Sequence, residues 1–445
     1  MKKQVGSWQL TVGRITTGIV FLVSMVFCQW SFSQSASPYS RYGLGYVRST
    51  VFSANKAMGE VAAPYASSVN INFTNPASYA SLTRTTIEIG ANFDGVRITT
   101  NNSIKDSTYK ANSASVNHFA IAFVPNPKKN NWAISIGLLP YTNINYNFIQ
   151  NFNDTAVGAF REIFSGKGSL YQAYAGGAYK VKGFSVGANA GFLFGKLDYQ
   201  KTITFPDSLG AYGTRNITNM NVKSFVYNIG VQYQKRIYHN NNDPDIRNDI
   251  FVTVGAYGSG GMKMQAKLSN YWERFAVTSF GVETIDTPQG NFNKKESITL
   301  PFNIGAGVMF GNERFWMLGT DFKFMNWKNY ESPLNNGGLN DSWRLSFGAQ
   351  ITPKYDDTRK FFNRVQYRLG GYYGKSEVNI KGASLTEAGG TVGFGFPFKS
   401  VARLNLTGDF GSRGGIDKST IRETYYKFTV GIVLNDIWFI KRKFD

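Results

Sequence analysis

The sequence predicts an all-β protein: a transmembrane antiparallel β-barrel of about 14 strands, preceded by an N-terminal hatch or plug segment. Three observations predict it. Bulky apolar residues alternate with Gly, Asn, Ser and charged residues along one segment after another, the period of a strand with a single apolar face. The connections between these segments alternate between short and long. The chain also opens on an export leader and has no cysteine after it, so a core or a bilayer, and not disulfides, must hold it.

Met1-Lys2-Lys3 through Arg14 is basic, Ile19 to Phe27 is apolar, and Ser31-Phe32-Ser33 offers small residues for cleavage before Gln34. Residues 1–33 therefore read as a signal peptide. Gln29, Ser31 and Ser33 cut the apolar run short of the ~20 residues that a spanning helix needs. Met25-Val26-Phe27 are too bulky for a lipoprotein signal at Cys28, the single cysteine. Residues 34–82 are rich in Ser, Ala, Asn and Gly, too polar to span and too long for a leader. A plug in the lumen or a periplasmic arm accounts for them.

Residues 83–445 carry the strands, from Arg84–Phe93 to Tyr425–Leu434. Phe184, Val186, Ala188, Ala190, Phe192 and Phe194 stand opposite Ser185, Gly187, Asn189 and Gly191; Phe225 to Tyr233 and Tyr426 to Leu434 repeat the contrast. Ile298, Leu300, Phe302, Ile304, Ala306, Val308 and Phe310 share one parity and predict one strand, as do Trp132–Phe148 and Arg314–Trp327. Short connections such as Val181–Gly183, Gly311–Glu313 and Pro397–Val401 alternate with longer polar ones, Asp94–Ser115, Ile149–Gly168, Gln200–Asn221 and Gly258–Ser297. Short turns on one rim and long loops on the other fit a bacterial outer-membrane barrel and not a soluble sandwich.

The formal charge of +20 falls to +17 once Lys2, Lys3 and Arg14 leave with the leader. Export argues against nucleic acid as the counter-charge and favours outer-membrane lipid. The short rim is basic, with Lys128, Lys129, Lys180, Lys182, Lys235, Arg236, Lys354, Arg359, Lys360, Lys399 and the tail Lys441-Arg442-Lys443. Within the strands Glu88, Asp321, Lys323, Arg344, Arg368, Arg403, Asp409 and Lys427 share the parity of Gly, Asn and Thr, so they should face the lumen. A charge on the lipid face would cost ~2–4 kcal/mol. Inside, they form a polar path, hold the hatch, or pair with one another to fill the barrel.

Ala57-Met58-Gly59, then Asn75-Pro76-Ala77 before the first strand, Leu300-Pro301 opening a strand, Thr320-Asp321-Phe322 leading to Trp327, and Tyr367-Arg368-Leu369-Gly370 come in an order that resembles the FadL-like (long-chain fatty-acid transporter) outer-membrane barrels. The resemblance spans most of the mature chain. It implies a cell outer-membrane barrel of a Gram-negative bacterium, plugged by a hatch with Gly59, Asn75, Pro76 and Ala77. It implies passive transport of a hydrophobic small molecule, without cofactor. Pro140, before Tyr141, removes a ladder donor from the third strand. The resemblance makes this a lateral-opening kink, and an ordinary bulge near the rim explains it equally. The family pattern departs at the end, Phe444-Asp445, and at Ser37-Pro38-Tyr39-Ser40-Arg41-Tyr42-Gly43. The same fold serves PorV-like subunits of outer-membrane secretion or assembly complexes, so a partner complex is the alternative.

Enzyme chemistry is not expected. The two histidines, His118 and His239, have no Ser or Asp arrangement around them that would make either a base. No G-x-S-x-G, P-loop or H-E-x-x-H occurs. Asp243-Pro244-Asp245 and Tyr355-Asp356-Asp357 lack the spaced oxygens of a calcium loop and read as solvated turns.

Overall fold

A computed structural model describes residues 37–438, apart from 101–106, 128, 130, 157, 207–210, 239–248, 279–280, 335–337, 381–382, 399–400 and 415–420. The leader, His239, Asp243 to Asp245, Lys128, Lys399 and the Lys441–Lys443 tail lie outside the described residues. The strands are β1 (Tyr46–Val47), β2 (Thr85–Thr100), β3 (Ser107–Phe123), β4 (Trp132–Asp154), β5 (Gly158–Val181) and β6 (Phe184–Thr204). They continue as β7 (Gly213–Tyr238), β8 (Ile250–Ser259), β9 (Met262–Thr278), β10 (Gly281–Leu300), β11 (Asn303–Asn312) and β12 (Trp316–Met325). The last are β13 (Ser342–Ile351), β14 (Gln366–Ile380), β15 (Ala383–Phe398), β16 (Ala402–Arg413) and β17 (Ile421–Asp436). A single helical turn, α1 (Ser53–Lys56), precedes them all except β1.

Every wall strand pairs antiparallel with its neighbour, and β17 pairs with β2 to close the ring. β8 and β9 both pair with β7, while β10 pairs with β9 and β11 with β8, so each couple is one wall strand with a break. The wall thus has 14 strands. The breaks fall at Gly260-Gly261 and at Pro301-Phe302, where Pro301 has no N–H for the ladder.

The polarity is that of a membrane barrel. Phe225 is 78% exposed and Leu369 65%, whereas Asn189 and Gln232 on the other parity are 2% exposed. Bulky apolar residues point outward all round, and amides and small residues point inward.

Three expectations need correction. The long polar connections are mostly strand: β4 and β5 pair from Trp132↔Tyr179 to Asp154↔Gly158, and β6 and β7 as far as Ile203↔Thr214. Above the bilayer the outer face no longer needs apolar residues, so the alternation fades while the backbone ladder goes on. Ile298–Phe310 is not one strand with one face, and Leu300-Pro301 closes β10 and breaks the wall strand instead of opening one. Trp327 lies in a 3-10 turn, Trp327–Asn329, beyond the end of β12.

Residues 37–83 run against the inward side of the wall. Their backbone meets strand glycines where a Cβ would collide: 2.6 Å from the Pro76 carbonyl at Gly187, 1.9 Å from Ala63 O at Gly255, 2.4 Å from Met58 O at Gly348. These glycines belong to β6, β8 and β13, so the close approach is made on several sides. Gly is required there because only its absent side chain leaves room for a second backbone.

Candidate functional site

The inner segment is tied to the wall residue by residue. Asn75 Oδ1 accepts the Ala77 N–H at 3.2 Å and caps the 3-10 turn Pro76–Ser81, while its Nδ2 donates to Ala63 O at 2.6 Å and to Val231 O of β7 at 3.3 Å. Gly59 has φ +67°, and its N–H donates to Thr391 Oγ1 at 2.9 Å. A Cβ at Gly59 would stand 2.6 Å from Phe347 O. Asp321 of β12 accepts the N–H groups of Ala62 at 3.0 Å and Ala63 at 2.5 Å. Glu88 of β2, fully buried, accepts Ser53 Oγ at 3.3 Å and the Ile71 N–H at 3.1 Å.

The eight lumen charges divide into groups. Glu88, Asp321 and Arg344 engage the segment, Arg344 through Glu60 at 2.5 Å. Arg344 also meets Glu387 at 3.1 Å, and Arg413 shares that carboxylate at 2.9 Å. Lys427 lies 3.9 Å from Asp409 and donates to Tyr46 Oη at 3.2 Å; these three and Lys323 line one charged cavity of about 150 Å³. Arg368 and Arg403 stand apart, gathered on neutral amides: Arg368 donates to Gln350 at 2.8 Å and Asn405 at 2.9 Å, and both donate to Gln366 Oε1. His118 is buried, its ring stacked on Phe52 at 3.7 Å, with Nε2 3.5 Å from Glu88.

The wall has a seam. β3 and β4 pair only from Phe119↔Leu138 to Phe123↔Ile134. Beyond that, among the described residues, β3 keeps only β2 as a partner, and β4 keeps β5 and the short β1, paired as Tyr46↔Asn143 and Val47↔Thr142. Arg48 N–H donates to Tyr141 O at 2.9 Å, and its guanidinium pairs with Asp94 at 2.7 Å. Bulges bracket the seam. On β3 both Asn117 and His118 turn inward between the outward Val116 and Phe119. On β4 the register slips between Pro140 and Thr142.

The slip on β4 has a consequence for side chains, because one extra residue exchanges the two faces of a strand. Trp132, Ile134, Ile136 and Leu138 are exposed, yet Ile144 and Tyr146 of the same parity are buried inside. The break at Pro301 does likewise: Ile298 and Leu300 point inward, Ile304 and Phe310 outward. Both switches feed one apolar cluster, where Ile144, Tyr146, Ile298 and Leu300 pack with Leu44, Leu193, Leu197 and Met220, and Tyr141 lies against it. Sequence reasoning found Pro140 and missed the cluster, β1 and Arg48. The available signal was the run of bulky residues continuing on one parity past a proline in both strands.

Among the described residues no group of three His, Cys, Asp or Glu side chains could hold a metal ion, and no helix is long and apolar enough to cross a membrane. A closed 14-strand barrel, apolar outside and charged within, defines an outer-membrane β-barrel of the FadL-like fold. Solved structures share that fold. The CymD monoaromatic hydrocarbon channel has a TM-score of 0.52 at 13% identity, covering 88% of this chain and 98% of its own. A Pseudomonas aeruginosa FadL homologue gives 0.56 at 11%, with 88% and 99% covered. The Pseudomonas putida toluene transporter TodX gives 0.55 at 14%, with 88% and 100% covered. The chain belongs to the BamG family, which it matches over residues 14–445. No curated protein matches it by sequence.

Proposed function

We propose that the protein passively conducts small hydrophobic molecules across the outer membrane, with residues 37–83 as its hatch and the β3/β4 seam as a lateral exit. The observation that carries this reading is the parting of β3 from β4 beyond Phe119↔Leu138, beside the inward apolar cluster. An apolar solute entering from the long-hairpin side would meet side chains of its own polarity and gain about 25 cal/mol per Å² of apolar surface removed from water. It would leave sideways into lipid once the strip Tyr46-Val47-Arg48 gives way, because that strip pairs with the freed edge of β4, where the Ser40 hydroxyl also bonds the Asn145 backbone. Passage down the axis is disfavoured by the Arg344–Glu60 and Arg344–Glu387 ion pairs. The names of the similar channels, for a monoaromatic hydrocarbon and for toluene, agree with such a solute class. No catalytic step and no cofactor enter this reading.

The charged filling of the lumen also supports the second reading, a barrel that serves an outer-membrane complex as a docking subunit. The test uses the lack of any cysteine after Cys28. Cysteine pairs placed between Ala114–Asn117 of β3 and Tyr141–Ile144 of β4, in proteoliposomes, should when crosslinked lower toluene permeation at least tenfold and recover on reduction. Crosslinked protein that conducts as well as reduced protein would remove the lateral exit.

A further inference from the structure

At the short-turn end of the lumen lies a cavity of about 760 Å³, bounded on the inner side by Ser67, Ser68 and Val69. Its charged lining is Arg84, Lys180, Arg314, Arg364 and Arg403 against one lining carboxylate, Glu313, with Asp356 just outside it 3.9 Å from Arg314. Glu313 is already engaged: it accepts Ser67 Oγ at 2.6 Å and the Ser68 N–H and Oγ at 2.9 Å. Gln366 is 1% exposed, and its Oε1 is held by the guanidinium groups of Arg368 and Arg403, which fixes the orientation of the amide. Its Nε2 then has no acceptor, and neither has the buried Nε of Arg364. Leaving a buried donor unpaired costs ~1–3 kcal/mol. The mouth is therefore a cationic site with two donors waiting for an acceptor.

We propose that this mouth docks an acidic segment of a periplasmic polypeptide, an inference independent of the transport reading. Short barrel turns face the periplasm, so the cavity opens there. Arg403 of β16 is buried on the inward side, and the wall stands between it and the lipid headgroups outside. The cations are spread round the rim: Arg84 precedes β2, Lys180 is on β5, Arg314 lies between β11 and β12, Arg364 precedes β14 and Arg403 is on β16. One small anion cannot reach all of them, whereas a chain with several carboxylates can, and guanidinium groups suit carboxylates in geometry as well as charge.

Full-length protein in nanodiscs, titrated with a fluorescein-labelled octapeptide of alternating Asp and Gly, tests this by anisotropy. Saturable binding of one peptide per barrel is expected, with none for the Asn/Gly counterpart. Gln366→Glu supplies the missing carboxylate from within, between Arg368 and Arg403, and should weaken binding at least tenfold while the barrel keeps its heat-modifiable mobility. Arg359→Gln with Lys360→Gln, outside the cavity, should change it less than twofold. Equal binding by wild type and Gln366→Glu would overturn the proposal. So would full displacement of the peptide by 1 mM inorganic phosphate, which would make this a small-anion site.

Discussion

Asp321 is the wall carboxylate whose loss should free the inner segment without harming the barrel. Its Oδ2 receives the Ala62 and Ala63 N–H groups at 3.0 and 2.5 Å, and the residue is 4% exposed. Hydrogen bonds to a charged group contribute ~1.5–3 kcal/mol each, so Asp321→Ala should cost the segment roughly 3–6 kcal/mol locally. At 1.4 kcal/mol per factor of ten, amide exchange around Ala62 and Ala63 should quicken by about 10² to 10⁴. Asp321→Asn keeps an acceptor oxygen of the same shape and should give a smaller change, since neutral bonds are about half as strong. The β12 ladder from Trp316↔Ile351 to Met325↔Ser342 does not involve the side chain, so the heat-modifiable mobility of the barrel should be unaltered. Exchange mass spectrometry of residues 53–83, beside ion conductance in planar bilayers, reads both effects. Unchanged exchange in Asp321→Ala, or exchange quickened equally across the wall strands, would refute the assignment of Asp321 as an anchor.

Two further outcomes are expected. Ile304→Lys, on the outward face, should lower assembly by up to the ~2–4 kcal/mol of a lipid-facing cation, while Asn303→Lys beside Ser259 should assemble near normally; equal loss in both, by the yield of heat-modifiable barrel, would remove the assignment of faces. In the turn after β13, the Lys360 N–H first, then the Asn363 amide and the Arg359 N–H, lower the Asp357 carboxyl to about 2. A depressed folded pKa stabilises above the unfolded value and is lost as pH falls through the folded one. The 352–365 turn should therefore hold its proteolytic resistance from neutral pH to about 4 and lose it towards about 2. Asp357→Asn should show no such acid step, and the same step in the variant would assign it elsewhere.

The wall was legible in the sequence because alternation reports a local property, the chemistry on either side of a strand. Alternation divided Phe184 to Phe194 and Tyr426 to Leu434 into two faces, and the short and long connections said which face lay outside. The lumen-facing parity of Asp321, Arg368 and Arg403 was legible for the same reason. Strand ends on the long-hairpin side were not, since ladder hydrogen bonds from Asn147 to Asp154 pair backbone groups and leave no mark in side-chain type. Nor were the partners of the charges: Asp321 and Ala62 are 259 residues apart, and no local pattern ties them. The tertiary structure alone decided that even-numbered residues of β4 leave the outer face after Pro140, and those of the broken strand change face at Pro301. A bulge or break shifts the register by a step that costs little locally, and only the neighbouring strand and the inner segment determine which face the chain presents beyond it.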